Sequence, residues 1–228
     1  MPTRRTPVVT IGLIVACTLV WIWELEGGVE REVVHYGYYP CTVEGPCDVR
    51  LVPPDHLSWW EGTFTSMFMH GGWIHIIGNM LFLWIFGNNV EDALGRVRFF
   101  LWYIAGGIAA TALQTFVTLQ FGNAQEASIP NIGASGAIAA VLGAYLLLLP
   151  RASVLTAIFL GFFFFIQEIP AVFFLGIWFL FQLWQGGWGV VHPEQGGGVA
   201  FFAHVGGFAF GLLTVFLVAK RRPLRPAW

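Results

Sequence analysis

NIGASGAIAAVLGAYLLLLPR, residues 131–151, sets a serine between glycines at the mouth of an apolar run that stops at Pro150 and Arg151. Ser135 to Leu149 is fifteen residues. As a helix rising 1.5 Å per residue, that is about 22 Å of a hydrocarbon core about 30 Å thick. A run anchored at one interface by Pro150 and Arg151 therefore leaves Ser135 on the order of 8 Å below the other surface. The polar loop before it, NAQEASIPN at 123–131, must dip to meet it. Irregular backbone at that depth is tolerated only where protein or a water-filled cavity satisfies it. The serine is thus expected in a wet recess open to the outer side.

Composition agrees that the surrounding solvent is lipid. Of 228 residues, 57% are hydrophobic and 11% charged, with a mean hydropathy of +0.70, whereas soluble domains are roughly one-quarter charged. A net charge of -2 provides no global basic field, so no nucleic-acid partner is expected. The first apolar run, 7–23, has no small-residue cleavage site and reads as a retained signal anchor.

Apolar runs that span, or nearly span, a bilayer lie at 8–23, 73–90, 99–119, 135–149, 171–184 and 199–219. They predict an all-α, polytopic membrane protein, a six-transmembrane-helix bundle forming one domain over 1–228. A shorter Phe-rich stretch, 154–166, is set off by Gln167, Glu168 and Pro170. With Arg4 and Arg5 in the cytoplasm, six spans return Lys220, Arg221, Arg222 and Arg225 to the same side. Arg96, Arg98 and Arg151 then also lie inside, with Arg31 and Arg50 outside. A seventh span would export the basic tail, so 154–166 is expected to be interfacial or re-entrant on the cytoplasmic side. The resulting layout has a core at about 64–219, an external loop at about 25–72, and short cytoplasmic tails at 1–7 and 220–228. The expected location is the plasma membrane. Cys41 and Cys47, in CTVEGPC, fall in the external loop, where either a disulfide or two unpaired thiols is open. Cys17, in the first span, reads as a small packing residue.

A second polar residue reaches the level of the serine. In AHVGGFAFG, His204 opens the last span, and from His204 to Ala219 is again about 22–24 Å of helix. An ionisable group inside a span marks a functional site by default, although a lone histidine can also be a packing residue. Gly136 and Gly143 on one helix, with Gly207 and Gly211 as a GxxxG pair on the other, permit close approach. A third cluster, HGGWIHIIGNM, holds His70, His75 and Asn79. His75 and Asn79, four apart, share a helix face, and imidazole and amide donors near an activated serine suit a tetrahedral oxyanion. Three histidines without an HExxH spacing or an added carboxylate or thiolate do not suggest zinc, and no metal or cofactor is expected.

Taken together, HGGWIHIIGN at 70–79, FGNNVEDALGRVRF at 86–99, GASG at 133–136 and AHVGGFAFG at 203–211 resemble, in chain order, the rhomboid family of intramembrane serine proteases. The resemblance covers about 64–219. It implies that Ser135 is the nucleophile and His204 the general base of a dyad, with His75, Asn79 and the Ser135 N–H as oxyanion donors. It further implies structural roles for His70, Gly133, Glu91 and Gly95, transmembrane proteins as substrates, and cleavage near the outer face. Two departures stand out. Relatives that pack an aromatic residue beneath the histidine carry it four positions after the serine, where this chain has Ala139. The Trp-Arg pair of the outer loop is replaced here by Trp59, Trp60, Glu61 and Gly62. Two other classes fit the sequence less well. A catalytically dead relative would be expected to lose the serine or histidine, and both are kept; a transporter would carry internal repeats, and none is visible.

Overall fold

The computed structural model describes residues 5–160, 163–191 and 200–220; Arg4, the tail from Arg221 and the expected start of the last span at 199 lie outside the described residues. Helix α1, Val8–Gly27, runs beyond the expected end at Trp23. After Gly28, at φ +93°, comes α2, Val29–Tyr36. The following segment turns through Pro40–Thr42 and is closed by a Cys41–Cys47 disulfide, the first of the two readings left open by sequence. A capping box of Ser58 and Glu61 starts α3, Trp59–Ser66, so Glu61 is used locally as a helix cap. Helix α4, Trp73–Phe82, continues through a π turn, Leu83–Gly87, into α5, Asn88–Leu94. Gly95, at φ +83°, then reverses the chain into α6, Arg96–Phe121. A short α7, Ala124–Ala127, precedes α8, Ser135–Leu148. Two strands follow, β1 at Ser153–Leu160 and β2 at Phe163–Pro170, then α9, Ala171–Val191, and α10, Phe201–Val218.

Helices occupy all six apolar stretches. Four of them, α1, α6, α9 and α10, are long and apolar enough to cross a membrane; α8 is apolar but shorter. The all-α expectation needs one correction. Residues 154–166 belong to an antiparallel hairpin in which Ser153 pairs with Pro170 and Leu160 with Phe163. The physical reason is local: Val, Ile, Leu and Phe in the first arm and Phe and Ile in the second are residues that suit a pleated strand.

The core is built around α8. Every residue from Gly136 to Tyr145 is buried, so this helix is apolar on all sides because it has neighbours on all sides, including α6, α9 and α10. Its contact with α10 is made of backbone. A methyl on Gly207 would overlap the Gly136 carbonyl, one on Gly211 the Ala140 carbonyl, and one on Gly143 the Phe208 carbonyl. On the α6 side, a methyl on Gly136 would lie 2.7 Å from Ala110 Cβ. Only glycine lets the three helices approach this closely. Gly211→Val should therefore force α10 away from α8 and cost about 1–3 kcal/mol or more of overpacking, read as a lower unfolding midpoint in detergent. An unchanged midpoint would rule out this account of the packing.

Candidate active site

Ser135 is the first residue of α8, so its N–H has no carbonyl four residues earlier in the helix to bond. It joins the orphan donors at the positive end of a helix, where a developing negative charge is stabilised. The loop leading to it is tied down twice. Asn131 and Tyr38 exchange backbone hydrogen bonds of 2.7 and 3.1 Å, and the Gly133 N–H donates to the Ser66 carbonyl at 2.8 Å. Gly133 has φ +124°, and a Cβ there would lie 2.7 Å from His75 Nε2, so both conformation and space demand glycine.

On α10, His204 Nε2 lies 2.8 Å from Ser135 Oγ, and its Nδ1 lies 2.7 Å from Gln182 Oε1 on α9. An amide oxygen only accepts, so Nδ1 carries the ring proton and Nε2 is left with a lone pair facing the serine hydroxyl. Trp178, one turn before Gln182, lies beside the imidazole with ring centroids 5.9 Å apart. An aromatic ring thus reaches the imidazole from α9, in a chain that has Ala139 on α8. The start of α10 is held by Gln114 of α6, whose Oε1 accepts from the Ala203 N–H at 3.1 Å. Gln182, Trp178 and Gln114 were not singled out from sequence. The available signal was an amide inside an otherwise apolar run, which is expensive unless it has a partner.

His75 and Asn79 share α4. His75 Nε2 points at Gly133, next to the serine, while its Nδ1 accepts weakly from the Gly71 N–H at 3.4 Å. Asn79 is buried, and among the described residues its Nδ2 has no hydrogen-bond partner. A buried donor left open in this way is costly, and Trp21 Nε1, His70 Nε2 and the Tyr103 hydroxyl share that state among the described residues. His70 is fully buried in the loop before α4, edge-on to His75 at 5.1 Å, with its backbone N–H held by the Glu24 carboxylate at 3.2 Å. Burial pushes the His70 imidazole down to about 4, with the neighbouring His75 adding to the effect, so it packs as a neutral ring.

A small cavity opens beside Ser135 between α6, α8 and the Ser66–Met67 turn, with Gly107, Ala110 and Gln114 on its α6 wall. The chain matches the Rhomboid domain over residues 56–221. It belongs to the rhomboid family. It is 29% identical over 173 residues to Rhomboid protein 1, mitochondrial, of Saccharomyces cerevisiae, covering 75% of this chain and 45% of that protein. It is 38% identical over 87 residues to Presenilin-associated rhomboid-like protein A, mitochondrial, of Danio rerio, covering 38% and 22% of the two chains. It is 38% identical over 89 residues to Rhomboid protease GluP of Bacillus subtilis, covering 39% and 16%. The chain spans less than half the length of these relatives. Two of the three are mitochondrial by name, so the expected plasma-membrane location is not supported by the relatives; a membrane protein is.

In this rhomboid, Glu91 and Gly95 are remote from the serine. The Glu91 carboxylate accepts from the Val9 N–H at 3.0 Å, the Thr10 N–H at 2.7 Å and the Thr10 hydroxyl at 2.8 Å, capping α1. Glu91→Ala leaves those donors without their acceptor and should cost about 1–3 kcal/mol, seen as a lower unfolding midpoint. A midpoint equal to the parent protein's would show that the cap contributes nothing.

Proposed function

We propose that the chain is an intramembrane serine endopeptidase that cleaves transmembrane segments of membrane proteins near the outer face, using Ser135 and His204 as a dyad. The observation that carries this reading is the 2.8 Å contact between His204 Nε2 and Ser135 Oγ at the mouth of an apolar helix. His204 takes the hydroxyl proton as Ser135 Oγ attacks the scissile carbonyl, and returns it to the leaving amine. A water then attacks the acyl-enzyme, with His204 again as base, and the serine is regenerated. The oxyanion is met by the Ser135 N–H, by Asn79 Nδ2 and by His75, with His70 bracing His75. Gln182 keeps the imidazole in the tautomer that accepts the proton, a task that a carboxylate performs in triads. A substrate helix must unwind to present its carbonyl, which favours small or helix-breaking residues near the cleavage point. The proposed topology has six spans, with α8 and the α4–α5 pair completing the four longer helices, and both chain ends on the side opposite the serine.

Ser135→Ala and His204→Ala should each abolish cleavage of a transmembrane test substrate by the purified, folded protein, and the double variant should be little worse than either, because the two act as one unit. Retention of most activity by Ser135→Ala sinks the proposal. Gln182 is expected to act as a positioning residue. Gln182→Leu should lower kcat by roughly ten- to a hundredfold with little change in KM, and Gln182→Glu, which restores an acceptor, should recover most of the loss. Equal defects in both variants, or a change confined to KM, would argue against it.

A further inference from the structure

At the end of the bundle away from Ser135, three helix ends meet around a cavity of about 500 Å³ lined by Arg5, Gly95, Arg96, Arg98 and Lys220. Arg5 lies just before α1, Arg96 and Arg98 are in the first turn of α6, and Lys220 follows α10. Lys220 is sixteen residues beyond His204, about 24 Å along the helix direction. All four cations are exposed. Arg96 donates to the Thr6 carbonyl at 3.3 Å and Arg98 to the Val218 carbonyl at 3.2 Å, contacts that fix the side chains without neutralising their charge. Among the described residues, two carboxylates stand nearby. Glu91 is turned to α1, where it accepts three hydrogen bonds, and Asp92 lines the adjoining cleft beside Arg5 and Arg96. Four cations against these two leave an excess of positive charge. The first N–H groups of α6 add to it, because Gly95 offers no capping side chain and the first intrahelical bond closes only at the Phe99 N–H. Leu94 and the exposed Val97 border the cations with aliphatic surface.

We propose that this cavity is a binding site for the phosphate of an anionic lipid headgroup, seated at the membrane face opposite the serine. The charges supply the attraction, the helix ends set the depth, and the aliphatic border suits a molecule whose phosphate is attached to a chain. Cationic recesses between spanning helices bind phospholipid headgroups in this manner, and guanidinium pairs favour phosphate through forked hydrogen bonds. The site is independent of the proteolytic reading, since it requires only that the bundle sits in a membrane.

The test is a titration of the purified full chain in neutral detergent with phosphatidylglycerol or phosphatidylcholine, following retained lipid by native mass spectrometry and the unfolding midpoint. Phosphatidylglycerol should bind more tightly and raise the midpoint. Arg96→Gln, Arg98→Gln and Lys220→Gln should each weaken it about fivefold, and the triple variant about a hundredfold, while Arg31→Gln in α2 changes nothing. Equal binding of phosphatidylcholine, or full retention by the triple variant, overturns the proposal. So does inorganic phosphate that raises the midpoint as much as the lipid at equal phosphate concentration, because the site would then be one for a free anion. Should the triple variant fail to fold, the single variants and salt decide: affinity of the parent protein that does not fall between low and high ionic strength also overturns it.

Discussion

The backbone contact between α8 and α10 is the constraint on which the rest of the structure depends. A hydroxyl on one helix and an imidazole on another can meet at 2.8 Å only if the helix axes are brought closer than ordinary side chains allow. Gly207 against the Gly136 carbonyl and Gly211 against the Ala140 carbonyl achieve that. In lipid no hydrophobic force drives helices together, so close van der Waals packing has to supply the association. The same feature that stabilises the bundle therefore sets the distance at the site. Ser135 sits at one end of this seam, where backbone donors are unspent.

Around the seam, polar groups are arranged so that each has a stated use. His204 has a different partner on each ring nitrogen, so its tautomer follows from its neighbours. Gln114 holds the beginning of the helix that carries it, and Glu24 holds the loop that carries His70. Asn79 Nδ2 is among the buried polar atoms without a partner in the described residues. Trp21 Nε1, His70 Nε2 and the Tyr103 hydroxyl are in the same position, so burial without a partner gains meaning at Asn79 only from its place on the helix that also carries His75.

Much of this was legible in the sequence because depth in a bilayer can be counted. Ser135 and His204 were placed at one level by residue number alone, and the structure sets them in contact. The GxxxG pair on α10 told which face would be approached, since small residues at that spacing have few other uses in lipid. Gln182 was not legible. It lies in FLFQLWQGG, with Gln185 three residues on, and choosing between two amides requires knowing which side of α9 faces α10. The hairpin was missed for a different reason. A short, uniformly apolar run has neither the period of a helix nor that of a strand, so depth and charge suggested an interfacial segment without revealing its backbone.

The π turn in the middle of the α4–α5 pair has an effect that distance measurements do not display. Its hydrogen bonds close over one residue more than those of an α-helix, and each residue of an α-helix is worth about 100° of rotation. Everything after Gly87 is therefore dialled round by about that angle relative to Asn79 and His75. An uninterrupted helix would swing Glu91 away from α1 if its other end still faced α8. The extra residue acts as a gear between two ends that answer to different neighbours, and it lets a single stretch of chain present His75 and Asn79 at one end and anchor the first helix at the other.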